Sequence, residues 1–169
     1  DNNNNNSNND NDSNNDNDIK NKFENNKISV YPCNKIKDTT VIVESDWSSV
    51  SYFYSIIAIS KKSRLEIGSY SKNSIQGDKK LVEIYSKLGV KTEFIENKII
   101  IEKDKDCLLP KNLDLDLTEN PDIAQTIAVT CFGLGISCNI KGLHTLKIKE
   151  TDRLAALKNE IEKLGGQIE

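Results

Sequence analysis

Landmarks in this chain recur at an offset of roughly 75 residues, and an internal repeat of that length restricts the fold more than any single element does. Asp46 lines up with Asp122, Asp78 with Asp152, and Leu88-Gly89 with Leu164-Gly165. In the first copy, Thr40-Val-Ile-Val-Glu44 is predicted as a strand, Asp46 opens a helix to about Ser60, and Arg64-Leu-Glu-Ile-Gly68 follows as a second strand. Asn73 to Asp78 then leads into a helix ending at Leu88-Gly89, and Val90 to Phe94 with Lys98 to Glu102 reads as a hairpin. The second copy runs from a strand at Leu113–Leu117 through a helix from Pro121-Asp122 to about Gly135 and a strand at Ser137–Lys141. It continues into a helix that follows Lys149–Asp152 and ends at Leu164-Gly165. Each unit is thus predicted as β-α-β-α-β-β, an α/β (α+β) fold with unit one at about 40–102 and unit two at about 112–169, its hairpin cut off. Helices in both copies open on acidic or hydroxyl residues that can cap free N–H groups. Repetition turns corresponding helix ends the same way, so several N-termini gather on one side, a favourable place for phosphates and carboxylates.

The run Lys147-Ile-Lys-Glu-Thr-Asp-Arg153 stands at the start of the last helix. Leu154, Leu157, Ile161 and Leu164 recur at three- and four-residue steps and predict one apolar face, with Gly165 just past the C-terminus. Lys149 and Arg153, four residues apart, are expected on one helix face, where they add to the anion preference of the helix mouth. Glu150 between them is a candidate proton carrier. In the first helix, Phe53, Ile56, Ile57 and Ile59 point to burial, Trp47 is expected to pack, and Asp46, Ser48 and Ser49 to cap. Gly77 and Asp78 are expected to shape the second helix entrance.

Composition excludes several classes. At 169 residues, 36% hydrophobic and 29% charged, the chain suffices for one ordinary domain, and no apolar run approaches membrane-spanning length. The formal charge of −3 hides an asymmetry, because residues 1–18 hold five Asp and no Lys or Arg. The remainder has 23 basic against 21 acidic residues, too even for a nucleic-acid footprint but compatible with small anionic ligands. Residues 1–26 are Asn-rich, low in complexity and too polar for a core, so they are expected to be disordered, with ordered structure from residue 27, where Lys27–Tyr31 reads as a short strand. Cys33, Cys107, Cys131 and Cys138 show no CxxC spacing and no His partner at ligand spacing, so neither zinc nor a redox dithiol is expected. Cys131 and Cys138 read as buried reduced thiols of a cytoplasmic protein. His144 is expected in a loop. The absence of any Met, the Asn-rich opening and the stop at Gly166-Gln-Ile-Glu169 lead us to expect a piece of a longer polypeptide.

Four ordered segments resemble the enolpyruvyl transferase family: Glu44-Ser-Asp-Trp-Ser-Ser49 with Tyr52-Phe53-Tyr54, Asn73-Ser-Ile-Gln-Gly-Asp78, Asn120-Pro-Asp-Ile-Ala-Gln-Thr126 and Lys149-Glu-Thr-Asp-Arg153. The resemblance covers residues 40–169. It implies an inside-out α/β barrel of six repeated units in two halves, of which slightly under two units, from the C-terminal half, are present. Within the family, Lys149–Arg153 favours the branch acting on shikimate 3-phosphate over the one acting on UDP-N-acetylglucosamine. RNA 3'-terminal phosphate cyclases use a similar unit, and the near-neutral charge counts against them.

The resemblance implies transfer of the enolpyruvyl group of phosphoenolpyruvate to the 5-hydroxyl of shikimate 3-phosphate through a tetrahedral intermediate, with release of phosphate. It implies no metal, no cofactor, no nucleic acid and no membrane, and a site completed by the missing half. Asp122 matches the aspartate that contacts the acceptor and takes a proton, Lys149 the lysine at the reacting hydroxyl, and Glu150 the glutamate that handles the proton at the methylene carbon. Arg153 matches the arginine that grips the phosphoenolpyruvate carboxylate. Where some members carry an asparagine that touches the acceptor, this chain has Thr145, and the role is not carried over. Lys147 adds only positive charge.

Overall fold

A computed structural model describes residues 21–32 and 38–169. The Asn-rich stretch through residue 20 and Cys33 therefore lie outside the described residues. The chain divides into two units, Asp1–Ile42 and Val43–Glu169.

In the first unit, β1 (Asn21–Glu24) pairs antiparallel with β2 (Lys27–Val30). Asn25 and Asn26 turn the chain at φ 51° and 59°, the left-handed pair that a two-residue hairpin needs and that Asn tolerates. Residues 21–24 are therefore strand, although composition placed them in the disordered stretch; local turn chemistry prevails there over polarity. Thr40–Glu44 belongs to no sheet, contrary to expectation: Val41, Ile42 and Val43 alternate in no useful way because all three stay at least 75% exposed.

The second unit begins its regular structure at α1 (Trp47–Ile59), where the Asp46 side chain accepts from Ser48 N and Ser49 N. β3 (Arg64–Gly68) is followed by a 3-10 turn at Gly77–Lys80, α2 (Leu81–Lys87), β4 (Val90–Ile95) and β5 (Lys98–Lys103). The sheet runs β3-β5-β4, antiparallel throughout. Its central strand buries Ile99 and Ile101 in one core cluster with Trp47 and Tyr54 of α1 and Leu81 and Ile84 of α2, while Ile100, also buried, alternates to the opposite face. Trp47 packs as expected, edge-on to Tyr70. The inward stripe of α1 is Trp47, Val50, Ser51, Tyr54, Ile57 and Ala58. Of the four residues predicted to be buried, only Ile57 is; Phe53, Ile56 and Ile59 are 45–63% exposed, because this helix is apolar over more than the one arc that faces the sheet.

Next come β6 (Asn112–Asp116), a 3-10 turn at Pro121–Ile123, α3 (Ala124–Leu134) and β7 (Ser137–Lys141), which pairs parallel with β6. A third 3-10 turn, His144–Ile148, precedes α4 (Arg153–Lys163). Cys131 is buried in α3, but Cys138 is exposed on two-stranded β7, correcting its expected burial. On α4, Ile161 is buried, Leu154 and Leu157 are half-buried, and Leu164 is 72% exposed.

Helices α1 and α3 lie side by side. Thr126 Oγ1 donates to Ser51 Oγ at 3.0 Å, and Thr130 Oγ1 to Ser55 Oγ at 2.7 Å, each pair 75 residues apart. Two contacts that advance four residues along both helices in the same direction make the pair parallel and in register. Their N-terminal ends therefore stand together.

Candidate active site

Three chain segments converge at those helix starts. Gln76 ties the 77–80 turn to α1, its Oε1 accepting from Trp47 N at 2.9 Å and its Nε2 donating to Ser45 O at 3.0 Å. Gly77 faces the entrance of α3 so closely that a Cβ there would lie 2.8 Å from Asn120 Nδ2. Pro121 occupies the first position of its turn, where a missing N–H costs nothing, and presents Asp122 just ahead of α3. The last segment is set by Gly142, at φ 83°, where a Cβ would collide with the Thr118 backbone. From there the His144–Ile148 turn carries the chain to Lys149, and Asp152 caps α4 by accepting from Leu154 N and Ala155 N, each at 3.0 Å.

These elements bring all four sequence-predicted site residues together. Lys149 Nζ lies 3.1 Å from Asp122 Oδ1, and Arg153 Nη1 reaches the same oxygen at 3.1 Å. The other edge of the guanidinium grips Glu150 as a fork, Nε to Oε1 at 3.0 Å and Nη2 to Oε2 at 2.9 Å. One expectation is corrected: Lys149 and Arg153 do not share a helix face. The helix starts at Arg153, and Lys149 precedes it in extended backbone at φ −77°, ψ −154°. The two cations meet through Asp122, not through helical periodicity.

Electrostatics follow from this alternation of two cations and two carboxylates. A hydrogen bond from its own backbone, followed by the Arg153 fork, holds the Glu150 carboxyl below its ordinary value, so the ionised form is favoured. Glu150, followed by the charge of Asp122, raises Arg153 above its ordinary value.

Asp122, Glu150 and Arg153 line a cleft of about 580 Å³, and Lys149 backs it through Asp122. Helix periodicity adds residues that the sequence reading did not place in the site. Tyr52 stands one turn after Ser48 and Ser49, and Gln125 one turn after Asp122, and all of these line the cleft. The signal for them was the i, i+3 and i, i+4 spacing from residues already singled out. Asp46 serves as a helix cap, as expected, and Asp78 accepts a hydrogen bond from Ser48 Oγ. His144 and Lys147 are exposed, and Thr145 Oγ1 is buried without a hydrogen-bond partner among the described residues.

Among the described residues, no helix is long and apolar enough to cross a membrane. The sequence model of the family described as EPSP synthase (3-phosphoshikimate 1-carboxyvinyltransferase) matches residues 16–169. The protein of Bacteroides fragilis named 3-phosphoshikimate 1-carboxyvinyltransferase is 46% identical over 123 residues, 73% of this chain and 30% of the relative. Proteins of the same name from Histophilus somni and Methanospirillum hungatei are each 36% identical, over 134 and 135 residues, covering 79% and 80% of this chain. The chain spans about 30% of the length of these relatives. A match over nearly the whole chain, containing all four converging side chains, makes this chain a member of the EPSP synthase family.

Proposed function

We propose that this chain forms one wall of an active site that transfers the enolpyruvyl group of phosphoenolpyruvate to the 5-hydroxyl of shikimate 3-phosphate, giving 5-enolpyruvylshikimate 3-phosphate and phosphate. The observation that carries this reading is the convergence of Asp122, Glu150 and Arg153 on one cleft, with Lys149 paired to Asp122 behind it.

The reaction needs a base for the acceptor hydroxyl, a proton relay at the methylene carbon and fixed positive charge for anionic substrates. Asp122 takes the hydroxyl proton as that oxygen attacks the enol carbon, while Glu150, having taken a proton from solvent, passes it to the methylene carbon, which becomes a methyl group. Phosphate then leaves the tetrahedral intermediate as the methyl group gives a proton back. Glu150, a carboxylate again after the first transfer, receives that proton, and the proton held on Asp122 passes to the departing phosphate. Arg153 already grips a planar carboxylate in its fork, the geometry the phosphoenolpyruvate carboxylate would occupy in exchange for Glu150. Lys149 reaches the oxygens of Asp122 and so stands where the reacting hydroxyl would approach.

The site belongs, on this reading, to a longer polypeptide of repeated β-α-β-α-β-β units in an inside-out α/β barrel, whose other half closes the cleft. The 75-residue spacing of the α1–α3 contacts supports the repeat. The exposed apolar residues Ile56 and Ile59 on α1, and Val129 and Phe132 on α3, supply a surface for further units. Residues 1–169 alone are expected to be inactive.

A phosphate-release assay on the full-length protein with shikimate 3-phosphate and phosphoenolpyruvate tests the reading. No release with this pair, together with release when UDP-N-acetylglucosamine is the acceptor, would falsify it. Turnover by residues 1–169 alone would contradict the need for a second half.

A further inference from the structure

We propose that Ser48, held by Asp78, is a specificity-determining residue that accepts a hydrogen bond from a second ring hydroxyl of the acceptor, next to the hydroxyl that reacts. The inference rests on the function proposed above and adds a wall that it leaves unused.

Ser48 lines the same cleft as Asp122, Glu150 and Arg153. Its Oγ donates to Asp78 Oδ2. A hydroxyl has one proton and two lone pairs, so a serine whose proton is committed to a carboxylate can only accept from whatever else it meets. The Ser48 backbone is equally committed, its N–H to Asp46 Oδ1 at 3.2 Å and its C=O to Ser51 Oγ at 2.6 Å. Asp78 in turn is fixed by the 77–80 turn, which Gln76 ties to α1. Desolvation, followed in smaller measure by the charges of Asp122 and Asp46, raises the Asp78 carboxyl above its ordinary value, so the Ser48 proton is a donor that this half-buried group needs.

The cleft therefore has two unlike walls. Arg153, with Lys149 behind Asp122, donates and suits phosphate and carboxylate groups. Ser48 accepts, repels anions by the same lone pairs, and suits a neutral hydroxyl. A cyclic acceptor with adjacent hydroxyls can place one against Asp122 for proton removal and its neighbour against Ser48. Asp78 is on this account a positioning residue, since it acts only through Ser48.

The test is steady-state kinetics on the full-length protein with S48A, D78A and D78N, using the natural acceptor and an analogue lacking the hydroxyl beside the reacting one. In S48A the acceptor KM is expected to rise about five- to tenfold, the worth of one neutral hydrogen bond, with the phosphoenolpyruvate KM unchanged. D78A frees the Ser48 proton and should show the same split. D78N keeps an oxygen to take that proton and should recover most of the loss. The analogue should cost the unaltered protein what S48A costs with the natural acceptor, and should cost S48A nothing more. Additive losses, or both KM values moving together, overturn the inference. Turnover with an unchanged acceptor KM in S48A overturns it alone and leaves the proposed function standing. No turnover by the unaltered protein overturns both.

Discussion

Arg153 holds Glu150 in a two-pronged fork, at 3.0 and 2.9 Å, while a third nitrogen of the same guanidinium holds Asp122 at 3.1 Å. One planar cation thus positions both carboxylates to which proton transfer is assigned. A lysine would offer the charge without the fork. In the full-length protein, R153A and R153K are both expected to raise the phosphoenolpyruvate KM by roughly ten- to a hundredfold, the range for lost charge-assisted hydrogen bonds, with a much smaller change for the acceptor. Steady-state kinetics with each substrate varied would check this, and equal losses would remove Arg153 from its assigned role.

Glu150 and an incoming carboxylate compete for the same edge of Arg153. E150Q should therefore separate two effects. Its kcat is expected to fall by about a hundredfold or more, the scale of a lost general base. Binding of phosphoenolpyruvate, measured by fluorescence or calorimetry, is expected to hold steady or tighten, because a neutral amide is a weaker rival for the guanidinium. Weakened binding would show that Glu150 supports the ligand site instead of occupying it.

The depressed pKa of Glu150 fixes the direction of a pH effect. Its ionised form is favoured in the folded protein, so the carboxylate persists above the depressed value and is lost only as pH falls through it. The acid titration of Glu150, followed by NMR at its carboxyl carbon, is expected below the ordinary glutamate value. In R153A it should move up only part of the way, since the larger cause, the backbone hydrogen bond of Glu150 itself, remains. An unmoved titration would show that the fork does not tune this group.

Asp152 takes two N–H groups at the start of α4. D152A is expected to cost about 1 kcal/mol in thermal unfolding, while D152S, which keeps a capping oxygen, should recover most of it. Equal stability in all three would mean that tertiary packing, not the cap, sets this helix end.

Much of the fold was legible in the sequence because it depends on local chemistry. The Asp46 and Asp152 caps, the glycines that follow the helices and the apolar periods set element type and order. The four candidate site residues could likewise be singled out, since Pro121-Asp122 and Lys149–Arg153 are short motifs. What depended on neighbours was not. Thr40–Glu44 has the composition of a strand but belongs to no sheet, and a strand exists only through its pairing. Phe53, Ile56 and Ile59 are as apolar as Ile57, yet which arc of α1 is covered depends on where the sheet and α3 lie. The meeting of Lys149 and Arg153 at Asp122 joins residues 27 and 31 positions apart, a distance that no local pattern encodes. The sequence by itself determined which groups were available and which helix mouths could hold them. Only the tertiary structure decided which group each would face, because that depends on packing between segments far apart in the chain.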